Sequence, residues 1–440
     1  MRQHRPLHDI RVLSFEAAFS LPAATRTLAD LGAEVIRIAP PEPAEGRRGL
    51  ESFLNDQDVR INKSTLALNL SHEEGRDLAR RLVVHADVVC SNLRPGVMQR
   101  FGLGYPELRA IRSDTIVLQL SGYGAPGPWQ DYPALGPATE AAGGLNWMIG
   151  DESYPPMRVG SDIYADQIAG RYAVLAILSA LQRRRRTGAG QFIDLSMHEG
   201  VVHLLGDIVL RAARTGRTPE RAGNRDPLIA PQGIYSCAGR DEWVAISVVT
   251  DAQWQALREL LANPLMCEPA LESVEGRRRH HDQIDAAIGD WTRDRAKDDV
   301  AQMLQQRGIP AGPVRRPPDI PSDPQFAARG FLQEVRHRKP QFGETSHKHL
   351  TLPWRVAGFD RPRMSDPKGE GADNATVLQS WLGLSKRDVK RLEKIGALWG
   401  AQPLLPPDMG QVMQSQTLRQ RAHGRETNGT PPPAVSASER

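Results

Sequence analysis

Residues 10–38 read IRVLSFEAAFSLPAATRTLADLGAEVIRI, and this stretch decides the fold. Ile10 to Phe15 is a short apolar run rich in strand formers. Pro22 to Gly32 has helical spacing, with proline in its first turn, Leu28 and Leu31 on one face and glycine at its end. Glu34 to Ile38 returns to strand. The pattern then repeats. Leu66 to Leu70 is a strand, and Glu73 to Val84 a helix with Leu78, Leu82 and Val83 on its apolar side. Ser71 reads as the N-cap of that helix and forms a capping box with Glu74. Asp87 to Cys90 and Thr115 to Leu120 are further strands. Repetition of strand, helix and strand predicts an α/β fold, a parallel sheet with helices on both faces.

Beyond this core, residues 122–163 are rich in proline, and a long helix follows from Ala165 to Arg185. Gln191 to Leu195 reads as a strand and Met197 to Arg214 as one helix. After Gly223 the character changes to a hairpin, Gly233 to Ser236 with Glu242 to Ser247, and helices near 252–261, 277–290 and 295–307. The expected organisation is a large domain beginning at 1–224 and a small α+β domain at 225–325. A return segment at 326–400 completes the large domain, and 401–440 is expected to be a disordered tail.

Composition narrows the class. The 440 residues are 40% hydrophobic and 25% charged, enough for a sizeable core. Lys and Arg total 56 against 52 Asp and Glu, a net charge of +4 and weak support for a nucleic-acid partner. Only 8 of the basic residues are lysine; arginine, with its planar fork of donors, suits phosphates. Three cysteines, none in a C-x-x-C pair, predict a reduced, cytoplasmic protein without a disulfide framework. No apolar run approaches a membrane span, and no signal peptide is read at the start.

Several motifs carry little. Gly122, Gly124 and Gly127 match G-x-G-x-x-G after a strand, but Pro126, Pro128 and Pro133 obstruct the helix a dinucleotide site needs. Arg183 to Arg186 reads as solvated charge at a helix end. His198-Glu199 lacks a second histidine at 202, and no metal site is expected. Asp166, at the start of the long helix, has two readings of equal weight. It either complements the helix dipole or serves as a carboxylate nucleophile, with Ala165, Ala169 and Gly170 leaving room for a bulky ligand. Asp162 reads as the helix cap.

A series of segments then resembles the class III CoA-transferases, the CaiB/BaiF family. They include Leu28-Ala-Asp-Leu-Gly-Ala-Glu-Val-Ile-Arg37, Asn92-Leu-Arg-Pro-Gly-Val-Met98, Arg100-Phe-Gly-Leu-Gly104, Ser121-Gly-Tyr-Gly124, Ala165-Asp-x-x-Ala-Gly170, Gly223-Asn-Arg225 and Gly308-Ile-Pro-Ala-Gly-Pro-Val314. The resemblance implies a Rossmann-like large domain, a small domain and two subunits interlocked as rings. It implies an acyl-CoA donor and a carboxylic acid acceptor as substrates, with no metal. Asp166 would attack the donor thioester, passing through an aspartyl anhydride and an aspartyl-CoA thioester. Leu68, Asn69, Asn92, Leu93, Arg94 and Arg100 would contact CoA.

Departures from the family pattern also stand out. Ile61-Asn-Lys63 replaces a usual Arg-Gly-Lys, and Ser71 a common lysine. Leu135 and Gly136 replace an aromatic and an acidic residue; Leu135, where related racemases carry histidine, cannot move a proton. Glu140 reads as a solvated helix charge, with compensation for the lost acid as the alternative. A 2-methylacyl-CoA racemase on the same fold and a basic nucleic-acid-binding protein are the other functional readings.

Overall fold

The computed structural model describes residues 5–39, 58–158, 160, 164–341, 344–359 and 361–401. Two compact units divide the chain. The first comprises residues 1–139, 162–204 and 330–440, the second 140–161 and 205–329.

Six parallel strands form the main sheet of the first unit, which also holds an antiparallel pair, Leu332–Gln341 with Glu344–Leu350. In chain order its elements are β1 (Arg11–Phe15), α1 (Ser20–Asp30), β2 (Glu34–Ala39), β3 (Ser64–Ala67), α2 (Glu73–Val83), β4 (Val88–Ser91), α3 (Tyr105–Ile111), β5 (Ile116–Ser121), α4 (Tyr164–Thr187), β6 (Gln191–Ser196) and α5 (Met197–Leu204). The strand order is β3-β2-β1-β4-β5-β6. Every ladder in it is parallel, with Leu13 opposite Ile36 and Val89 and Leu118 opposite Ile193. Leu13, Ile36, Leu66, Leu82 and Val89 fill one core with Trp381 and Leu392 of the return segment. That segment contributes helices Asn374–Leu382 and Lys386–Lys394, and Leu68 bridges to Leu398.

Local chemistry moves some boundaries. His72, not Ser71, caps α2, accepting from the backbone N–H of Glu74; Ser71 N–H instead donates to Asn69 Oδ1 at 3.0 Å. The helix expected from Met197 to Arg214 breaks at Leu205 into α5 and a separate helix, Gly206–Thr215. The turn Val97–Arg100 and helix α3 were not read from sequence, being too short for a periodic signal.

Around its own core, Tyr235, Val244, Trp254, Ile284 and Val300, the second unit is built. Its sheet is antiparallel, Gln232–Ser236 against Trp243–Ser247, with Ala311–Pro313 as a third strand. The unit takes in residues 140–161 and 205–224, which the sequence reading leaves in the large domain. Backbone bonds explain the difference. Asp151 bridges to Ala222, Gly223 N–H donates to Gly150 carbonyl at 2.9 Å, and Trp147 Nε1 donates to Pro219 carbonyl at 3.2 Å. Such pairings leave no periodicity in the sequence.

Candidate active site

The strand order reverses between β1 and β4, and open parallel sheets receive ligands outside the carboxyl ends of their strands at such a point. Two loops flank it, one leaving β1 at Glu16 and one leaving β4 at Asn92. Asn92 ties them together. Its Oδ1 accepts from Ala17 N–H at 2.8 Å, and its Nδ2 donates to Ala17 carbonyl at 2.7 Å and to Ser20 Oγ at 3.3 Å. Next in the loop, Ala18 has φ 52°, a left-handed conformation that a residue with a Cβ adopts rarely.

Asp166 sits in the first turn of α4 and is 7% exposed. On its face of the helix Ala169, Gly170 and Ala173 are buried as well. A Cβ on Gly170 would lie 2.9 Å from Ser20 carbonyl and 3.4 Å from Ala23 Cβ, so glycine alone allows α4 to approach α1 this closely. Both helices run away from the carboxyl ends of the strands. Asp166, one turn before Gly170, is therefore level with the β1–α1 loop. The positive end of the α4 dipole favours its carboxylate there.

Beneath that loop lies a buried ion cluster that sequence reasoning missed. Glu16 Oε1 accepts from Lys63 Nζ at 2.8 Å and pairs with Arg37 Nε at 3.3 Å. Glu16 Oε2 accepts from Ser14 Oγ at 2.7 Å and Thr25 Oγ1 at 2.6 Å. Lys63 Nζ also donates to Pro22 carbonyl at 2.9 Å. Arg37 continues to Glu370, which also pairs with Arg60 at 2.7 Å. Burial alone pushes the Glu16 carboxyl up, but Lys63 and Arg37 outweigh it and hold the group below the usual range. Burial brings the Lys63 ammonium down to about 8, against the pull of Glu16. The thiol of neighbouring Cys90, pushed up to about 12 by burial, is unreactive. Two signals were present in the sequence: a glutamate directly after an apolar strand, and an arginine inside the next one.

The expected CoA contacts separate into two kinds. Leu68 is 1% exposed and belongs to the core. Asn69 Nδ2 donates to Gly396 carbonyl at 2.9 Å, bracing the return segment. Leu93 carbonyl accepts from Gln119 Nε2 at 2.7 Å, and Asn92 is spent on Ala17. Arg94 and Arg100 differ: both are exposed, and among the described residues neither guanidinium has a partner. They lie on the loop and turn after β4, where a guanidinium suits the phosphates of a polyanion.

Further motifs resolve as follows. Gly122 to Leu135 form turns with no helix. A Cβ on Gly122 would lie 2.1 Å from Ala134 Cβ, so glycine lets the segment before Leu135 fold back on the end of β5. Tyr123 is edge-on to Trp129 with centroids 5.3 Å apart, and His198 lies 5.6 Å from Tyr123. Leu135 is 69% exposed. Glu140, read as a solvated charge, is fully buried instead, because the helix Gly136–Ala142 turns it inward. Arg184 is a second correction to a solvated reading. It pairs with Asp87 at 3.0 Å and Asp114 at 3.7 Å, across the amino ends of β4 and β5, while Arg183, Arg185 and Arg186 are exposed. Asp162 and the tail from 402 lie outside the described residues. Among the described residues no group of three or more His, Cys, Asp or Glu could hold a metal, and no helix is long and apolar enough to cross a membrane.

The chain is similar to known proteins. Succinyl-CoA–D-citramalate CoA-transferase of Chloroflexus aurantiacus is 32% identical over 407 residues, 89% of this chain and 98% of that protein. Acetyl-CoA:oxalate CoA-transferase of Acetobacter aceti is 32% identical over 333 residues, 74% of this chain and 85% of that protein. The crystal structure of a CaiB/BaiF family protein from Brucella suis superposes with a TM-score of 0.76 at 29% identity, covering 86% of this chain and 100% of that one. CoA-transferase family III matches residues 7–374, nearly the whole of the described sheet and second unit, and the chain belongs to that family.

Proposed function

We propose that the protein moves CoA from an acyl-CoA donor to a small carboxylic acid, with Asp166 as the nucleophile. The observation that carries this reading is the carboxylate of Asp166, buried in the first turn of α4 at the carboxyl end of the sheet and level with the loop at the switch point. An Asp166 oxygen attacks the thioester carbonyl, the C–S bond breaks, and CoA thiolate leaves a mixed anhydride. The thiolate attacks the aspartyl carbonyl and releases the donor acid, leaving CoA on Asp166 as a thioester. The acceptor carboxylate displaces the thiolate, forming a second anhydride. Attack of the thiolate on the acceptor's acyl carbon then yields the new acyl-CoA and frees Asp166. Each intermediate hydrolyses readily, which suits a nearly buried carboxylate. Arg94 and Arg100 are the expected partners of the CoA phosphates, with Leu68, Asn69, Asn92 and Leu93 forming the strand-end frame beside them.

The acceptors named for relatives, D-citramalate, oxalate and mesaconate, define the first panel of acids to test. Incubation with acyl-CoA and hydroxylamine or borohydride, followed by peptide mapping, is the test of mechanism. Modification at Asp166, abolished in Asp166→Asn, is expected. Modification elsewhere with a fully active Asp166→Asn would sink the reading. We also propose a cytoplasmic, interlocked homodimer. Supporting association, the helix Gly206–Thr215 buries none of its residues although Val209 and Leu210 are apolar, and the three cysteines are free. Light scattering that finds a monomer overturns the dimer.

A further inference from the structure

Two clamps act on the β1–α1 loop, and both grip the segment level with Asp166. From β4, the Asn92 amide satisfies both backbone polar groups of Ala17 and reaches Ser20 Oγ. From below, Lys63 holds the Glu16 carboxylate, the Thr25 hydroxyl and the Pro22 carbonyl, at 2.8, 2.6 and 2.9 Å. The loop is thus fixed at Glu16 before it, at Ala17 within it, and at Pro22 and Thr25 on the helix after it. Buried ion pairs return little net stability, because desolvation offsets their attraction. What this cluster supplies is geometry, in a loop whose Ala18 already occupies a rarely populated conformation.

We propose that Lys63 is a positioning residue for CoA transfer: with Glu16 and Asn92 it holds the β1–α1 loop in the one arrangement that meets the reacting carboxylate of Asp166. The inference rests on the assignment of Asp166 as nucleophile. Lys63 touches no substrate; it acts through Glu16 and Thr25. The charged and titratable groups facing it are Glu16 at the end of β1, Arg37 on β2, Arg26 on α1 and Cys90 on β4. When Lys63 loses its proton, the Glu16 carboxylate keeps Arg37 but loses its nearest cation.

Two variants test this in the full-length enzyme. Lys63→Met combined with Glu16→Gln removes the pair without stranding a buried charge, and Asn92→Ser releases Ala17 while leaving the cluster whole. Both are expected to keep the wild-type KM for acyl-CoA within about twofold and to lower kcat by about 10- to 100-fold, as misplacement of reacting groups does. Single-turnover formation of the hydroxylamine-trapped Asp166 adduct slows by the same factor. Wild-type activity is expected to fall above about pH 8, and this fall is expected to be absent from the Lys63→Met/Glu16→Gln enzyme. Wild-type kcat and an unchanged pH profile in folded variants overturn the inference, as does a raised KM at constant kcat. Should the double variant fail to fold, unchanged kcat in Thr25→Val, which takes one helix-side partner from Lys63 and keeps the ion pair, overturns it alone. An active Asp166→Asn overturns the nucleophile assignment instead; an inactive Asp166→Asn beside fully active clamp variants overturns only the role of Lys63.

Discussion

Asn92, on the loop after β4, satisfies the backbone N–H and carbonyl of Ala17, on the loop after β1, through one side-chain amide at 2.8 and 2.7 Å. The two loops border the point where the strand order reverses, so this single residue ties together the two sides of the switch point. It also explains why an asparagine in an Asn-Leu-Arg-Pro-Gly segment is needed there: no other side chain of that length both donates and accepts in the same plane.

Asp166→Asn keeps shape and volume but removes the nucleophile. Turnover is expected to fall by about 10³-fold or more with the melting temperature nearly unchanged. Steady-state kinetics and thermal unfolding on the same preparation check this.

Gly170→Ala sets two effects against each other. Alanine favours a helix over glycine by about 1 kcal/mol. The new Cβ, however, would sit 2.9 Å from the Ser20 carbonyl, and overpacking of that kind costs about 1–3 kcal/mol. The clash prevails, so the variant is expected to be less stable in denaturant titration. Its kcat is expected to fall too, because α1 and α4 separate one turn from Asp166.

Arg94→Ala and Arg100→Ala remove exposed cations that have no partner among the described residues. Each is expected to raise KM for acyl-CoA by about tenfold, the worth of one charge-assisted hydrogen bond. Unfolding midpoints stay unchanged, and added salt weakens the wild-type enzyme's CoA binding more than that of the double variant.

Lys63 links pH to stability and to activity in opposite directions. Its folded-state value of about 8 lies below the ordinary 10.5. Between the two, the unfolded chain holds a proton the folded one has released, so rising pH favours the folded state by up to about 1.4 kcal/mol per unit. Across the same window Glu16 loses its nearest cation and activity falls. Denaturant midpoints and kcat measured at pH 7, 8 and 9 should diverge in the wild type, and the divergence should vanish in Lys63→Met/Glu16→Gln.

Arg184→Ala tests the arginine run. Arg184 and Arg112 share Asp87, at 3.0 and 2.9 Å. Losing one is expected to cost about 1–3 kcal/mol in stability, with kcat unchanged. Arg185→Ala and Arg186→Ala, both exposed, are expected to change neither.

The repeated strand–helix–strand stretch in residues 10–121 and the helix carrying Asp166 were legible because hydrophobic periodicity and punctuation by glycine and proline are local properties of a chain. The series of family segments then pointed to Asp166 and to the loop after β4. The same locality explains what was misread. Glu140 and Arg184 looked solvated because a charge on a helix usually is, and only the elements packed around them show otherwise. The backbone bonds that draw 140–161 into the second unit have no local signal at all.

By itself, then, the sequence determined the order and type of the main elements, the parallel sheet and the nucleophile candidate. Tertiary structure alone decided which polar groups face the site and which are consumed in building it. Asn92 and Lys63 each carry donors that suit a substrate, and they spend them on the β1–α1 loop and the start of α1. Their partners lie 75 and 41 residues away along the chain, a separation that only the folded sheet closes.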